Sequence, residues 1–435
     1  VTRAGPVIAF IGAGSVVFTR NLLTDIFLFE DLHGATITLH DIDAERLDTA
    51  GMMARRTSTQ LGAGATVVEC PERRAAVDGA DFVINAVQIG MHEATLIDFA
   101  IPRRYGLKQT IGDSMGIGGI FRGLRTIPFM LELLGDIAAV APDALLINYT
   151  NPMSMLMWAG YEAFPDVRAV GLCHSIPNTA REIASYLGVD HEQLVYECAG
   201  INHIAWMTKL EVQGADVYPQ LRAAMDDPQV YARDKVRFEL LRRLGYFVTE
   251  SSEHNAEFTP YWLKDDALIK RYDIPLDEYI RRSEQNLIEY AATRKGLLAG
   301  EPLRLEPSVE LGGPIIHSLT TGTTRLVYGN VRNDDLIGNL PAGCCVEVPM
   351  VAGAAGLSPL RAGVLPPQLA ATCLPHVAVQ ELVVAAALQG SRDHVYHAAL
   401  LDRHAPSVLS PDALVAMVDD LIDAHGAALP EGIRR

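Results

Sequence analysis

Pro6-Val7-Ile8-Ala9-Phe10-Ile11-Gly12-Ala13-Gly14-Ser15 decides the fold of this 435-residue chain. Pro6 to Gly12 is a short, continuous apolar run of the kind that forms a buried parallel strand. It runs into Gly12-Ala13-Gly14-Ser15, and the helix-like VVFTRNLLTDIFLF follows. Glycines at a strand-to-helix turn let the backbone approach a pyrophosphate, and the free N–H groups of the helix start bind it. Val17 stands where a complete dinucleotide fingerprint has its third glycine, so the turn by itself is half a signature.

The flanking sequence completes it. A second strand, Thr36 to Leu39, ends in His40-Asp41-Ile42-Asp43, which puts an acid where an NAD ribose needs one. That carboxylate repels a 2′-phosphate, so NAD is favoured over NADP. Asp81 to Val87 and Ala144 to Asn148 read as further strands, with helical segments near 43–60 and 121–140. Strands alternating with helices predict an α/β chain with a Rossmann-like, doubly wound parallel sheet. A nucleotide domain is expected over residues 1–200. The same pattern also allows a doubly wound domain with no nucleotide in its crevice.

Several polar groups fall where such strands end, the edge at which open α/β sheets bind ligands. Gln109 to Gly119 carries glycines at 112, 116, 118 and 119, which predicts an irregular loop around Asp113. Asp113 there serves catalysis or caps the following helix. Asn148-Tyr149-Thr150-Asn151-Pro152-Met153 closes the fifth strand. Asn151, held out of αR by its proline, either presents its amide at the edge or caps the helix after Pro152. Gly171-Leu172-Cys173-His174-Ser175 and Gly200-Ile201-Asn202-His203 each follow an apolar run. A thiol at Cys173 and an imidazole at His203 suit a soft-to-borderline divalent metal with open positions. Spacing alone also allows two ordinary buried side chains.

Beyond His203 clean βα repeats cease. Ile204 to Val212 reads as a strand, and longer helices follow at 232–244 and 277–293. An α+β substrate and oligomerisation domain over 201–435, packed directly on the first, is expected. Ser251-Ser252-Glu253-His254-Asn255-Ala256-Glu257-Phe258 sets titratable groups beside Tyr261 and Trp262, which suits a sugar face or a solvated helix start. Gly329 to Asp334 and Leu340 to Val348 read as turns flanking short strands, and the last sixty residues as helical packing or oligomer surface.

Totals narrow the class. A net charge of −17 without a Lys/Arg cluster argues against nucleic acid and anionic membranes. Six cysteines in no framework spacing suit a reducing compartment. No leader pattern precedes Val7, and no apolar run is expected to reach the roughly 20 residues of a bilayer span. A soluble, cytoplasmic protein is expected.

Together, Gly12 to Ser15, Asn151-Pro152-Met153, Cys173-His174-Ser175, Gly200 to His203 and the Gly329 to Val348 block resemble glycoside hydrolase family 4, the NAD- and metal-dependent glycosidases. The resemblance covers nearly the whole chain, and it implies a lactate/malate dehydrogenase-like fold. Cys173-His174-Ser175 and Gly245 to His254 look like the α-galactosidase branch. Members acting on phosphorylated sugars carry Cys-Asp or Cys-Asn and an Arg after the fourth strand; here Gln88-Ile89-Gly90-Met91-His92 has no Arg. A non-phosphorylated α-galactoside is therefore implied.

The implied chemistry oxidises C3 of the sugar with bound NAD, removes the C2 proton, eliminates at C1, adds water and returns the hydride. A divalent metal, Mn²⁺ or another, holds the C2 and C3 oxygens. The resemblance makes Cys173 and His203 metal ligands, and Asn151, Asn148 and Asn202 substrate contacts. It makes Gly12, Gly14, Ser15, Asp41 and Gln88 cofactor contacts. His174 stands where relatives place the acid, with Asp113 expected to donate or relay that proton. His254, then Tyr261, is expected as C2 base. A homodimer or homotetramer is the family habit. The alternatives are α-glucosidase or α-glucuronidase specificity, an NAD-dependent polyol or hydroxy-acid dehydrogenase, and a non-catalytic sugar or nucleotide sensor.

Overall fold

The computed structural model describes residues 5–435, built on one 13-stranded mixed sheet. Its strands in chain order are β1 (Val7–Ile11), β2 (Thr36–His40), β3 (Thr66–Glu69), β4 (Phe82–Asn85), β5 (Leu145–Asn148), β6 (Ala169–Gly171), β7 (Leu194–Ile201) and β8 (Ile204–Val212). There follow β9 (Ala215–Asp216), β10 (Phe247–Val248), β11 (Arg325–Arg332), β12 (Cys345–Gly353) and β13 (Gly356–Pro359).

One half is the parallel sheet that alternation predicts, in the order β3-β2-β1-β4-β5-β6. Ile8, Ile37, Val83, Ile84, Leu146 and Ile147 are wholly buried in it. Such strands are apolar on both faces because helices cover both. The other half runs β11-β12-β7-β8-β10 and is antiparallel. The halves join edge to edge: Asn330 of β11 pairs with Gly171 of β6, antiparallel. Hydrogen-bonded strands therefore continue across the join.

Three local readings change. The helix expected from residue 121 starts at Gly116 and runs to Val140. Its glycines serve close approach rather than flexibility, since a Cβ on Gly118 would lie 2.4 Å from the Gly112 carbonyl oxygen and one on Gly119 2.6 Å from the Ser114 carbonyl carbon. Gly329 to Arg332 lies within β11 and is not a turn. The Pro367–Gln389 helix is long and apolar enough to span a bilayer by composition, contrary to expectation. Its Cys373, Val377 and Val383 are buried, and it packs on the Gly116–Val140 and Met153–Ala163 helices, so its apolarity serves a core.

Candidate active site at the sheet edge

The Gly12 turn forms as read. Gly12 has φ +80°, and Gly12 and Ala13 both donate to the His40 carbonyl, tying the turn to the end of β2. Asp41 reaches back across that gap: its Oδ2 accepts the Gly14 N–H at 2.9 Å, and its Oδ1 accepts the Asp43 N–H at 3.0 Å. A Cβ on Gly14 would lie 2.5 Å from Asp41 Oδ2, so only glycine admits this acid. Asp43 is the N-cap of the Ala44–Gln60 helix, accepting from Glu45 and Arg46, and is taken up by that task. Ser15 is exposed at the start of the Val16–Phe27 helix, and Gln88 is half-buried beyond β4.

Cys173 and His203 meet. Each lies two residues past its strand, β6 and β7, and Cys173 Sγ stands 3.4 Å from His203 Nε2. His203 has φ +65°, an unusual backbone for a non-glycine, which turns its ring into the site. Asp113, His203 and His254 bring ligand atoms within 4.8 Å of one another, and all three residues are buried. Asn151 Nδ2 donates to Asp113 Oδ2 at 3.0 Å. Residues from both halves of the chain thus converge on one point.

The electrostatics differ residue by residue. Burial pushes the Cys173 thiol up to about 12. A nearby cation is what turns such a thiol into a thiolate. The Glu310 carboxylate, 3.2 Å from His174 Nδ1, holds that imidazole up at about 10. Burial opposes the ionisation of Asp113, but Arg122, His203 and His254 outweigh it and its pKa falls below the usual value. The balance favours a carboxylate at Asp113, an acceptor rather than a resting donor. Nor does it cap a helix: it bonds Ser114 and Asn151, and Met115 is the N-cap residue.

Burial draws His254 below its ordinary value, against the opposing pull of Glu250. Its Nδ1 pairs with Ser251 Oγ at 2.7 Å, and its Nε2 faces Glu250 Oε1 at 3.6 Å. Glu250 is held to about 2: its burial is outweighed by His254, His203 and His174.

Three expectations are corrected. Asn148 is wholly buried, accepts from Asn85 at 2.8 Å and donates to the Thr150 carbonyl at 3.0 Å. It is an internal brace at the ends of β4 and β5 with no group left for a substrate. Asn151 does not cap the next helix, whose N-cap position is Pro152 after a cis peptide bond. Tyr261 is half exposed, and its ring packs on Trp262 rather than on the Cys173 cluster.

Four residues escaped the sequence reading. Glu250 and Glu310 flank the two histidines as described. Arg122 donates to the Asn151 carbonyl and to Tyr279 Oη. Glu347 is buried on β12 in an apolar strand, Cys345-Val346-Glu347-Val348, and a lone acid inside such a run was the available signal.

Known proteins match this whole arrangement. The profile for the family 4 glycosyl hydrolases matches residues 7–189, and that for their C-terminal domain matches residues 198–405. An α-galactosidase of Bacillus subtilis (strain 168) is 41% identical over 428 residues, 98% of this chain and 99% of that protein. An α-galactosidase of Rhizobium meliloti (strain 1021) is 34% identical over 438 residues, 98% of this chain and 89% of that protein. A 6-phospho-α-glucosidase from gut microorganisms, solved in complex with NAD and Mn²⁺, superposes with a TM-score of 0.82 at 20% identity, covering 98% of this chain and 99% of that one. The chain belongs to family 4 of the glycosyl hydrolases.

Proposed function

We propose that this protein is an NAD- and divalent-metal-dependent α-galactosidase acting on non-phosphorylated α-galactosides. The observation that carries the reading is the convergence of Cys173, His203, Asp113 and His254 beside a Gly12/Asp41 turn, in a chain 41% identical to an α-galactosidase. The donor set fits a cation such as Mn²⁺: a half-buried thiol and a buried imidazole 3.4 Å apart, with a carboxylate oxygen within 4.8 Å of the imidazole. The turn fits a dinucleotide, because its glycines let the backbone pack tightly against Val87 and Asp41, and Asp41 is placed for a ribose.

When bound, the metal supplies Lewis acidity toward sugar oxygens and the nucleotide a reversible hydride acceptor. The chain's own residues manage position and protons. Cys173 and His203 hold the cation, and the Asp113 carboxylate aims the Asn151 amide at the sugar. Glu310 keeps a proton on His174 Nδ1, so the His174 Nε2–H is the donor to the leaving oxygen. Ser251 Oγ accepts the His254 Nδ1–H, which leaves the Nε2 lone pair as base for the C2 proton. The imidazolium so formed lies against the Glu250 carboxylate.

In this reading residues 1–200 bind the nucleotide and 201–435 shape the sugar site. The six free cysteines suit the cytoplasm. The Glu278–Leu298 helix, whose Ile288 and Leu298 are exposed, suits a dimer or tetramer contact.

The test is hydrolysis of an aryl α-galactoside by protein stripped of nucleotide and metal, then supplied with NAD⁺, Mn²⁺, both or neither, under reducing conditions. Release only with both, and without net NADH, is expected. Cleavage of α-glucoside or α-glucuronide controls in preference would move the sugar assignment. NADH accumulation on a polyol, without glycoside cleavage, would overturn the hydrolase reading.

A further inference from the structure

Four buried polar atoms around the His203 turn lack a partner of good hydrogen-bond geometry, although Asn202 approaches the Glu347 carboxylate: His203 Nδ1, Asn202 Nδ2, Glu347 Oε2 and Asn330 Oδ1. None of the four residues is more than 2% exposed. An unmet buried polar group costs about 1–3 kcal/mol, so a group of them in one place marks a function.

Sheet register gathers them. Gly171 of β6 pairs with Asn330 of β11, Asn330 with Glu347 of β12, and Glu347 with Gly200 of β7. This row crosses four strands, from the one that ends two residues before Cys173 to the one that ends two residues before His203. Both ends of the row are glycine and must be. A Cβ on Gly171 would lie 2.4 Å from Met153 Sδ, and one on Gly200 2.4 Å from the Ile204 carbonyl oxygen. The row's side chains are thus those of Asn330 and Glu347, and Asn330 Nδ2 donates to Glu347 Oε1 at 3.1 Å. Glu347 Oε2 is left over.

His203 turns Nε2 to the thiol, so Nδ1 is its remote nitrogen and the unmet donor. A metal-bound imidazole ordinarily gives that second N–H to a carboxylate or carbonyl, which fixes ring and tautomer. Asp113 is engaged by Ser114 and Asn151, and Glu250 faces His254. Glu347 has an oxygen to spare and lies within electrostatic reach of His203.

We propose that Glu347 is the positioning residue for the metal ligand His203, its Oε2 taking the Nδ1–H while Asn330 and Asn202 hold the carboxylate. The proposal rests on the reading of Cys173 and His203 as metal ligands. It makes metal affinity depend on a residue far along the chain that never touches the sugar or the nucleotide.

The experiment is a Mn²⁺ titration of the full chain without substrate, followed by the EPR signal of free Mn²⁺, with NAD⁺ affinity and Tm measured in parallel. Glu347→Gln keeps the shape but loses the charge, and is expected to weaken Mn²⁺ binding roughly 10- to 100-fold with NAD⁺ affinity unchanged. Glu347→Asp should recover part of the loss. If Glu347→Gln does not fold, Glu347→Asp and Asn330→Ala carry the same test, each expected to weaken Mn²⁺ alone. Unchanged Mn²⁺ affinity, or a parallel loss of Mn²⁺ and NAD⁺ affinity, overturns the proposal. Failure of the parent chain to bind Mn²⁺ overturns instead the metal reading beneath it.

Discussion

Cys173 shows how much one side chain depends on its surroundings. A thiol pushed up to about 12 by burial is a poor donor by itself, and a cation held by it and His203 would make it a ligand. Cys173→Ser and His203→Ala are therefore expected to cut kcat/KM for an aryl α-galactoside by at least about a thousandfold. Their Tm should stay near the parent's; full activity in either would remove the metal assignment. Asp41 and Asp43 are two residues apart and do different things. Asp41→Ala gives up the carboxylate beside the Gly14 turn and should weaken NAD⁺ binding about tenfold or more. Asp43→Ala removes a helix cap, costing about 1 kcal/mol with NAD⁺ affinity unchanged. Calorimetric titration and thermal melts distinguish them. The sequence alone left the choice between these acids open, because capping and ribose binding draw on the same residue type.

At the scale of elements, the active site depends on close backbone approaches. The loop before the Gly116–Val140 helix is anchored by Glu257, whose Oε2 accepts the Ile111 and Gly112 N–H groups at 3.1 and 2.8 Å. Glu257→Ala would leave those buried donors unmet, at about 1–3 kcal/mol each at most, and would release Asp113. A lower Tm together with a lower kcat is expected. Gly200→Ala would force a Cβ against the β8 backbone, 2.6 Å from Ala205 Cα, in the hairpin that carries His203. A loss of about 1–3 kcal/mol in stability is expected, with weakened Mn²⁺ binding. An unchanged melting curve would show that the hairpin relaxes freely. The glycines around Asp113 were visible in sequence as a loop signal, but their purpose was not. Composition reports that a Cβ is missing, and only packing shows what would have met it.

The molecule as a whole is built on one sheet, and its stability should respond to pH through buried histidines outside the Cys173–His203 cluster. His376 and His404 direct Nε2 to the carbonyls of Phe258 and Lys108, at 2.8 and 2.9 Å. Burial draws both below the ordinary 6.5, with Asp402 acting in the opposite sense, so they are neutral in the fold. The unfolded chain takes up protons near 6.5 and the folded chain only at lower pH. Their contribution is therefore complete above about pH 6.5 and is lost as pH falls through that value. Tm is expected to drop between pH 7 and pH 5. His376→Gln should flatten that limb by up to one proton, about 1.4 kcal/mol per pH unit; an unaltered slope would place the acid sensitivity elsewhere. The sequence by itself determined the parallel βα half and the Gly12/Asp41 turn, because periodicity and turn chemistry are local properties, whereas spacing leaves the Cys173/His203 pair open and the family resemblance supplies it. Tertiary structure alone decided that β6 and β11 join into one sheet, that Asn148 is spent internally, and that Glu250, Glu310 and Glu347 stand at the two histidine-bearing turns. Those contacts bring together residues tens to more than a hundred positions apart, and their cost or benefit comes from burial, which no local window of sequence contains.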